Sequence, residues 1–132
     1  MATFDRFEDI KAWQSARELT RDVFLLFRRP ALRREFALKD QMTRASLSVM
    51  NNIAEGFGRN RPREFANFLT IGRGSGVEVQ SMLYVMKDLS FLSEDEFGSF
   101  YSRTDNMNRM INSLGAYLRR AADGEKAAAT ED

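Results

Sequence analysis

The sequence predicts an all-α protein, an up-down-up-down antiparallel four-helix bundle, on three observations. Proline occurs only at positions 30 and 62, and glycine is scarce outside one stretch, so few points force a helix to stop. Apolar residues recur every three or four positions through four separate segments, the spacing of helices that each bury one face. The gaps between these segments are short, which favours antiparallel neighbours. A chain of 132 residues, 43% hydrophobic and 30% charged, is enough for one such domain and too little for two.

The first helix is expected from about Glu8 to Arg28, with Trp13, Ala16, Leu19, Val23 and Leu26 on one face and Pro30 ending it. The second opens near Glu35, repeats Leu38, Met42, Ala45, Val49 and Ile53, and stops around Gly56 and Gly58, residues suited to a helix C-terminus. The third starts after Asn60, with Pro62 in a first turn that tolerates it, and runs to Leu89. Gly72, Gly74 and Gly76 each cost about 1 kcal/mol relative to Ala in a helix interior, so the residues alone leave open a break between Ile71 and Val77. In the fourth, Ser93 and Glu96 have the spacing of a capping box. Phe97, Phe100, Thr104, Met107, Ile111, Leu114 and Leu118 then follow in alternating steps of three and four. Residues 1–122 are taken as the bundle and 123–132, rich in Ala and acid, as a disordered tail.

Composition narrows the chemistry. Without Cys there are no disulfides, thiolate metal sites or Cys nucleophiles, and without His the commonest general base and metal ligand is missing. A di-metal carboxylate bundle needs Glu-x-x-His pairs and is excluded on the same ground. The expectation is therefore no catalytic residue, no metal and no cofactor. Glu55 and Glu78 are the one carboxylate pair considered for hydrolysis, against the plainer reading that each pairs with an arginine such as Arg59 or Arg73. Gly72-Arg73-Gly74-Ser75-Gly76 lacks the Gly-Lys-Ser/Thr of a phosphate loop and a preceding strand. It reads instead as small residues that let two helices approach closely, with a phosphate contact through Arg73 as the alternative. Met82, Met86, Met107 and Met110 sit at core spacing. The first residues carry Asp5, Arg6, Glu8 and Asp9, unlike a signal peptide, and no run is long enough to span a bilayer, so a cytoplasmic protein without membrane contact is expected.

Charge is informative in its distribution. The formal net charge is +1, yet between Arg28 and Arg73 there are ten basic and four acidic residues. Arginine dominates, as suits forked contacts to phosphate. In an up-down-up-down bundle Arg28, Arg29, Arg33 and Arg34 fall near Glu94, Asp95 and Glu96 and are partly neutralised. Arg59, Arg61 and Arg63 gather with Arg119 and Arg120 at the opposite end, about 30 Å away along a twenty-residue helix. Those five arginines are the candidate nucleic-acid-binding residues; the alternative is that they are solvated or paired with nearby carboxylates.

Three stretches together resemble a known family: Phe7-Glu8-Asp9-Ile10-Lys11-Ala12-Trp13-Gln14, then Asn52-Ile53-Ala54-Glu55-Gly56-Phe57-Gly58-Arg59, then Glu64-Phe65 and Phe68-Leu69 through Arg73-Gly74-Ser75 to Glu78. They are similar, over about residues 4 to 120, to the four-helix-bundle proteins encoded in intervening sequences of bacterial 23S ribosomal RNA, the S23-like family. The resemblance implies a ring-shaped homopentamer and a third helix continuous through the glycines. It also implies a distant relation to the accessory protein of diversity-generating retroelements, a basic pentamer that binds nucleic acid and reverse transcriptase. Asn52, Glu55, Arg59, Arg73 and Glu78 match the family's polar motif, which is either a buried network fixing helix register or a binding site. This chain departs from the family at Met50-Asn51, where proline is common, and at Gly76, where a larger apolar residue is usual and glycine should loosen the packing. The expected function is non-enzymatic: an oligomeric bundle holding structured RNA or another nucleic acid. The alternative is a protein-protein scaffold or adaptor.

Overall fold

The computed structural model describes residues 4–131. A short 3-10 turn at Phe7–Asp9 leads into four helices: α1 Lys11–Leu26, α2 Phe36–Gly58, α3 Pro62–Asp88 and α4 Glu94–Glu131. The described residues form no strand. Each helix packs on the next, and α4 returns to α1. The predicted stripes meet inside: Val23, Met42, Val49, Ile53, Leu83, Met86, Met107 and Ile111 are fully enclosed. Burying a side chain of this size contributes about 1.5–3 kcal/mol. Met82 and Met110 are only partly covered, at the margin of this core. Trp13 lies in the stripe of α1 with the edge of Phe7 against it, ring centroids 5.0 Å apart.

The chain turns where local chemistry requires it. Pro30 lies in the loop after α1, which is pinned by buried Phe27 and Leu32. Pro62 occupies the first turn of α3, where its missing N–H leaves no bond unmade. Asn60 (φ 59°) follows α2, and Ser90 (φ 61°) follows α3, both in the left-handed conformation. At Ser90 the Phe91 N–H donates to Met86 O at 2.8 Å and the Ser90 N–H to Lys87 O at 3.0 Å, a Schellman ending built without glycine. The capping box of α4 is present in both directions: the Glu96 N–H donates to Ser93 Oγ and the Ser93 N–H to Glu96 Oε1, each at 3.1 Å.

Four expectations are corrected or resolved. First, α3 runs unbroken from Pro62 to Asp88, and α2 runs unbroken through Met50-Asn51. Second, the glycines of α3 serve different ends. A Cβ at Gly72 would lie 3.5 Å from the Asn52 Cβ and the Val49 carbonyl of α2, while one at Gly74 would meet nothing. Gly76 does not loosen the packing, because the Asn108 carboxamide of α4 fills the space. Third, Gly56 is not a helix terminator but a contact: a Cβ there would come within 2.8 Å of the Phe68 Cβ and 2.9 Å of Phe65 Cδ1. Fourth, α4 does not end at residue 122 but continues to Glu131. Ala121, Ala122, Ala127 and Ala128 are strong helix formers, and they extend the helix where the sequence suggested a disordered tail.

Candidate nucleic-acid interface

The five candidate arginines divide into different environments. Arg59, in the turn after α2, donates to Glu55 Oε1 at 2.9 Å and lies over the Phe68 ring at 5.0 Å. It is committed twice. Arg61, just before α3, and Arg120 on α4 are exposed and make no ion pair among the described residues. Arg63 approaches Asp123 at 3.4 Å across an exposed gap. Arg119 folds back beside Gly115 and donates to the Thr70 hydroxyl at 2.6 Å, so its partner is neutral.

Arg63 and Arg119 share a recess between α3 and α4, with Ala66, Asn67 and Asp123. Arg119 also lines the adjoining recess with Thr70, Arg73, Asn112 and Gly115, about 190 Å³ in volume. The structure therefore brings Arg63, Arg73 and Arg119 onto one seam. Arg59 stands apart, held to Glu55 of α2 and to the Phe68 ring of α3. The sequence places Arg73 among the motif residues; its position beside Arg119 depends on how α3 and α4 are rotated against each other.

The polar motif is not one network. The Asn52 Nδ2 donates to Ser48 O at 2.8 Å and Ser48 Oγ at 3.0 Å, and Ser48 Oγ is 2.7 Å from Ser75 Oγ. This polar contact ties α2 to α3. Glu55 is paired with Arg59, whereas Arg73 and Glu78 are exposed and make no ion pair among the described residues. Among the described residues no cluster of acidic side chains could hold a metal ion, and no helix is long and apolar enough to cross a membrane.

Of the other basic cluster, Arg29 meets one of the expected carboxylates, Glu96, while Glu94 lies nearer Lys87, at 3.6 Å. Arg29 bonds Glu96 at 2.5 Å. That bond, with the Ser93 N–H, holds the Glu96 carboxyl below its ordinary range. Asp22 is also held low, first by its bond to Arg21 and then by Arg103 of α4 at 2.8 Å.

A second group was missed by sequence reasoning. Tyr84 of α3 lies 4.9 Å from Phe97 and 5.9 Å from Tyr101 of α4, and Lys87 Nζ sits 4.8 Å from the Phe97 centroid. The Tyr101 phenol is pushed up, mainly by the neighbouring Tyr84 and then by burial, and stays neutral. Tyr84 nonetheless keeps 49% of its surface exposed. Phe97 and Tyr101 stand four residues apart on α4, with Tyr84 opposite them across the seam, a signal visible in the sequence only once the two helices are paired.

The sequence profile of the 23S rRNA-intervening sequence proteins matches residues 8–113. The chain belongs to that family. A solved structure, a protein of unknown function from the S23 ribosomal protein family of Bacteroides thetaiotaomicron, superposes with a TM-score of 0.71 at 17% identity. The match covers 78% of this chain and 96% of the other. At that identity the likeness establishes the fold of the intervening-sequence family member and nothing of its task. No curated protein matches the chain.

Proposed function

We propose that this member of the intervening-sequence family is a non-enzymatic nucleic-acid-binding bundle that engages RNA through the arginines at one end. The observation that carries this reading is the state of those side chains. Arg61 and Arg120 are exposed without an ion pair among the described residues, Arg119 is held only by a hydroxyl, and Arg63 has a distant, exposed partner. Exposed pairs of that kind contribute little and yield readily to phosphate. The helices are proposed to run up-down-up-down in antiparallel order, which the Arg29–Glu96 and Arg63–Asp123 contacts support. A homopentameric ring would set five copies of the arginine end on one rim and let weak contacts act together.

The test is RNA affinity measured against salt. Binding should fall steeply between about 50 and 200 mM salt. Replacing Arg61 and Arg63 together by Ala should weaken it. Absence of binding at the lowest salt refutes the reading.

A scaffold function is the second reading, favoured by one observation. Leu47 of α2 and Ile71, Val77 and Val85 of α3 are apolar and exposed, Ile71 by 55%. Side chains of this kind suit contact with protein, including another copy of the chain.

A further inference from the structure

We propose that the seam between α3 and α4 is a track for one strand of nucleic acid, with phosphates held at Arg63, Arg73 and Arg119 and bases stacked on Tyr84 at the other end. This rests on the nucleic-acid reading and gives it a path and a strandedness. The seam begins with Arg63 beside Arg119, continues through Thr70 and Arg73, and reaches the rings of Tyr84, Phe97 and Tyr101. Arg63 and Tyr84 are separated by about 32 Å at 1.5 Å per residue. That length accommodates about nine stacked nucleotides at about 3.4 Å each.

Each end of the seam offers what a single strand presents. Arg73 makes no ion pair among the described residues, and the guanidinium of Arg119 is fixed by the Thr70 hydroxyl, so both are free to neutralise phosphate. Tyr84 is half exposed, and Phe97 and Tyr101 brace it from α4, so its ring is held in place before a base arrives. Duplexes hide their base faces, whereas a single strand exposes them, and stacking on aromatic side chains tolerates any sequence. Carboxylates border the path. Asp105 is covered by Arg109 at 3.1 Å and Glu94 approaches Lys87 at 3.6 Å, while Asp123, 3.4 Å from Arg63, is the acid that a phosphate at Arg63 has to displace.

The experiment compares a labelled single-stranded RNA of about 12 nucleotides with its duplex, by fluorescence anisotropy at several salt concentrations. The single strand should bind more tightly. Arg73→Ala with Arg119→Ala should weaken binding tenfold or more, and the logarithmic salt slope should drop by about 0.7 for each phosphate no longer neutralised. Tyr84→Ala should weaken it by about fivefold or more without changing the slope, and Tyr84→Phe should restore it, because stacking needs the ring and not the hydroxyl. If Arg61→Ala with Arg120→Ala weakens binding while the Arg73, Arg119 and Tyr84 variants do not, the track is refuted and the arginine end stands. If the wild-type chain binds no RNA at low salt, both fall. A polyglutamate peptide of equal charge binding as tightly as the single strand also overturns the track, in favour of an acidic protein partner.

Discussion

The carboxamide of Asn108 on α4 occupies the space in which a side chain at Gly76 of α3 would begin. Its Nδ2 donates to Gln80 Oε1 at 3.4 Å, and its buried Oδ1 has no conventional donor. The oxygen lies instead against the glycine Cα–H, a weak interaction that only a residue without Cβ can offer.

Gly76→Ala is therefore expected to destabilise the bundle by about 1–3 kcal/mol, the usual cost of overpacking. Asn108→Ala in the same chain should recover part of that loss. A double-mutant cycle by urea denaturation measures the coupling. Simple additivity of the two losses would show that the residues are not interlocked.

The α4 cap gives a pH-dependent prediction. Ser93→Ala should cost about 1 kcal/mol. Glu96 and Asp22 both have their carboxyls held low in the folded chain. Their contribution is present above the ordinary carboxylate value and is lost as pH falls through the lower folded value. Unfolding free energy should accordingly decline on acidification, and Glu96→Gln should make that decline shallower. An unchanged acid limb in the variant would contradict the role of the Arg29–Glu96 bond.

How much of this was legible in the sequence depends on the range of the interaction. The Ser93–Glu96 box, Pro62 in a first turn and the Glu55–Arg59 pair are all set within four residues, and each is found where the spacing put it. Arg29 meeting Glu96 followed from helix order and charge alone. The seam could not be read that way. Whether Arg73 points toward Arg119, or Tyr84 toward Tyr101, depends on the rotation of two long helices, and one of their close contacts is at Gly76, which in the sequence looked like a loss of packing. The extension of α4 is masked in the sequence because acidic residues interrupt a run of strong helix formers.

Ser90 holds a positive φ that suits glycine better than any residue with a Cβ. Ser90→Gly is expected to stabilise the protein by about 0.5–1 kcal/mol. The melting temperature should rise by about 2–5 °C. A fall on calorimetry would mean that the Ser90 side chain contributes more than its backbone conformation costs.

Asp123 faces Arg63 across 3.4 Å with both groups exposed. Asp123→Asn should leave stability within about 0.5 kcal/mol. RNA affinity at low salt should rise a few-fold, since one guanidinium is released. Unchanged or weaker binding would indicate that Arg63 does not meet phosphate.

Assembly is tested by light scattering. With a chain mass of 15.2 kDa, a pentamer weighs about 76 kDa. Ile71→Glu places charge in the exposed apolar surface of α3 and should shift the mass toward the monomer. A wild-type monomer would rule out a repeated rim.

The missing side chain at Gly115 has an effect beyond packing. It leaves the surface of α4 low where the Arg119 side chain folds back, one guanidinium nitrogen 3.4 Å from where a Cβ would stand and another donating to the uncharged hydroxyl of Thr70. On the proposed reading, an incoming anion need not pull that cation from a competing acid, and part of the ordering that capture consumes is already made by the Thr70 bond.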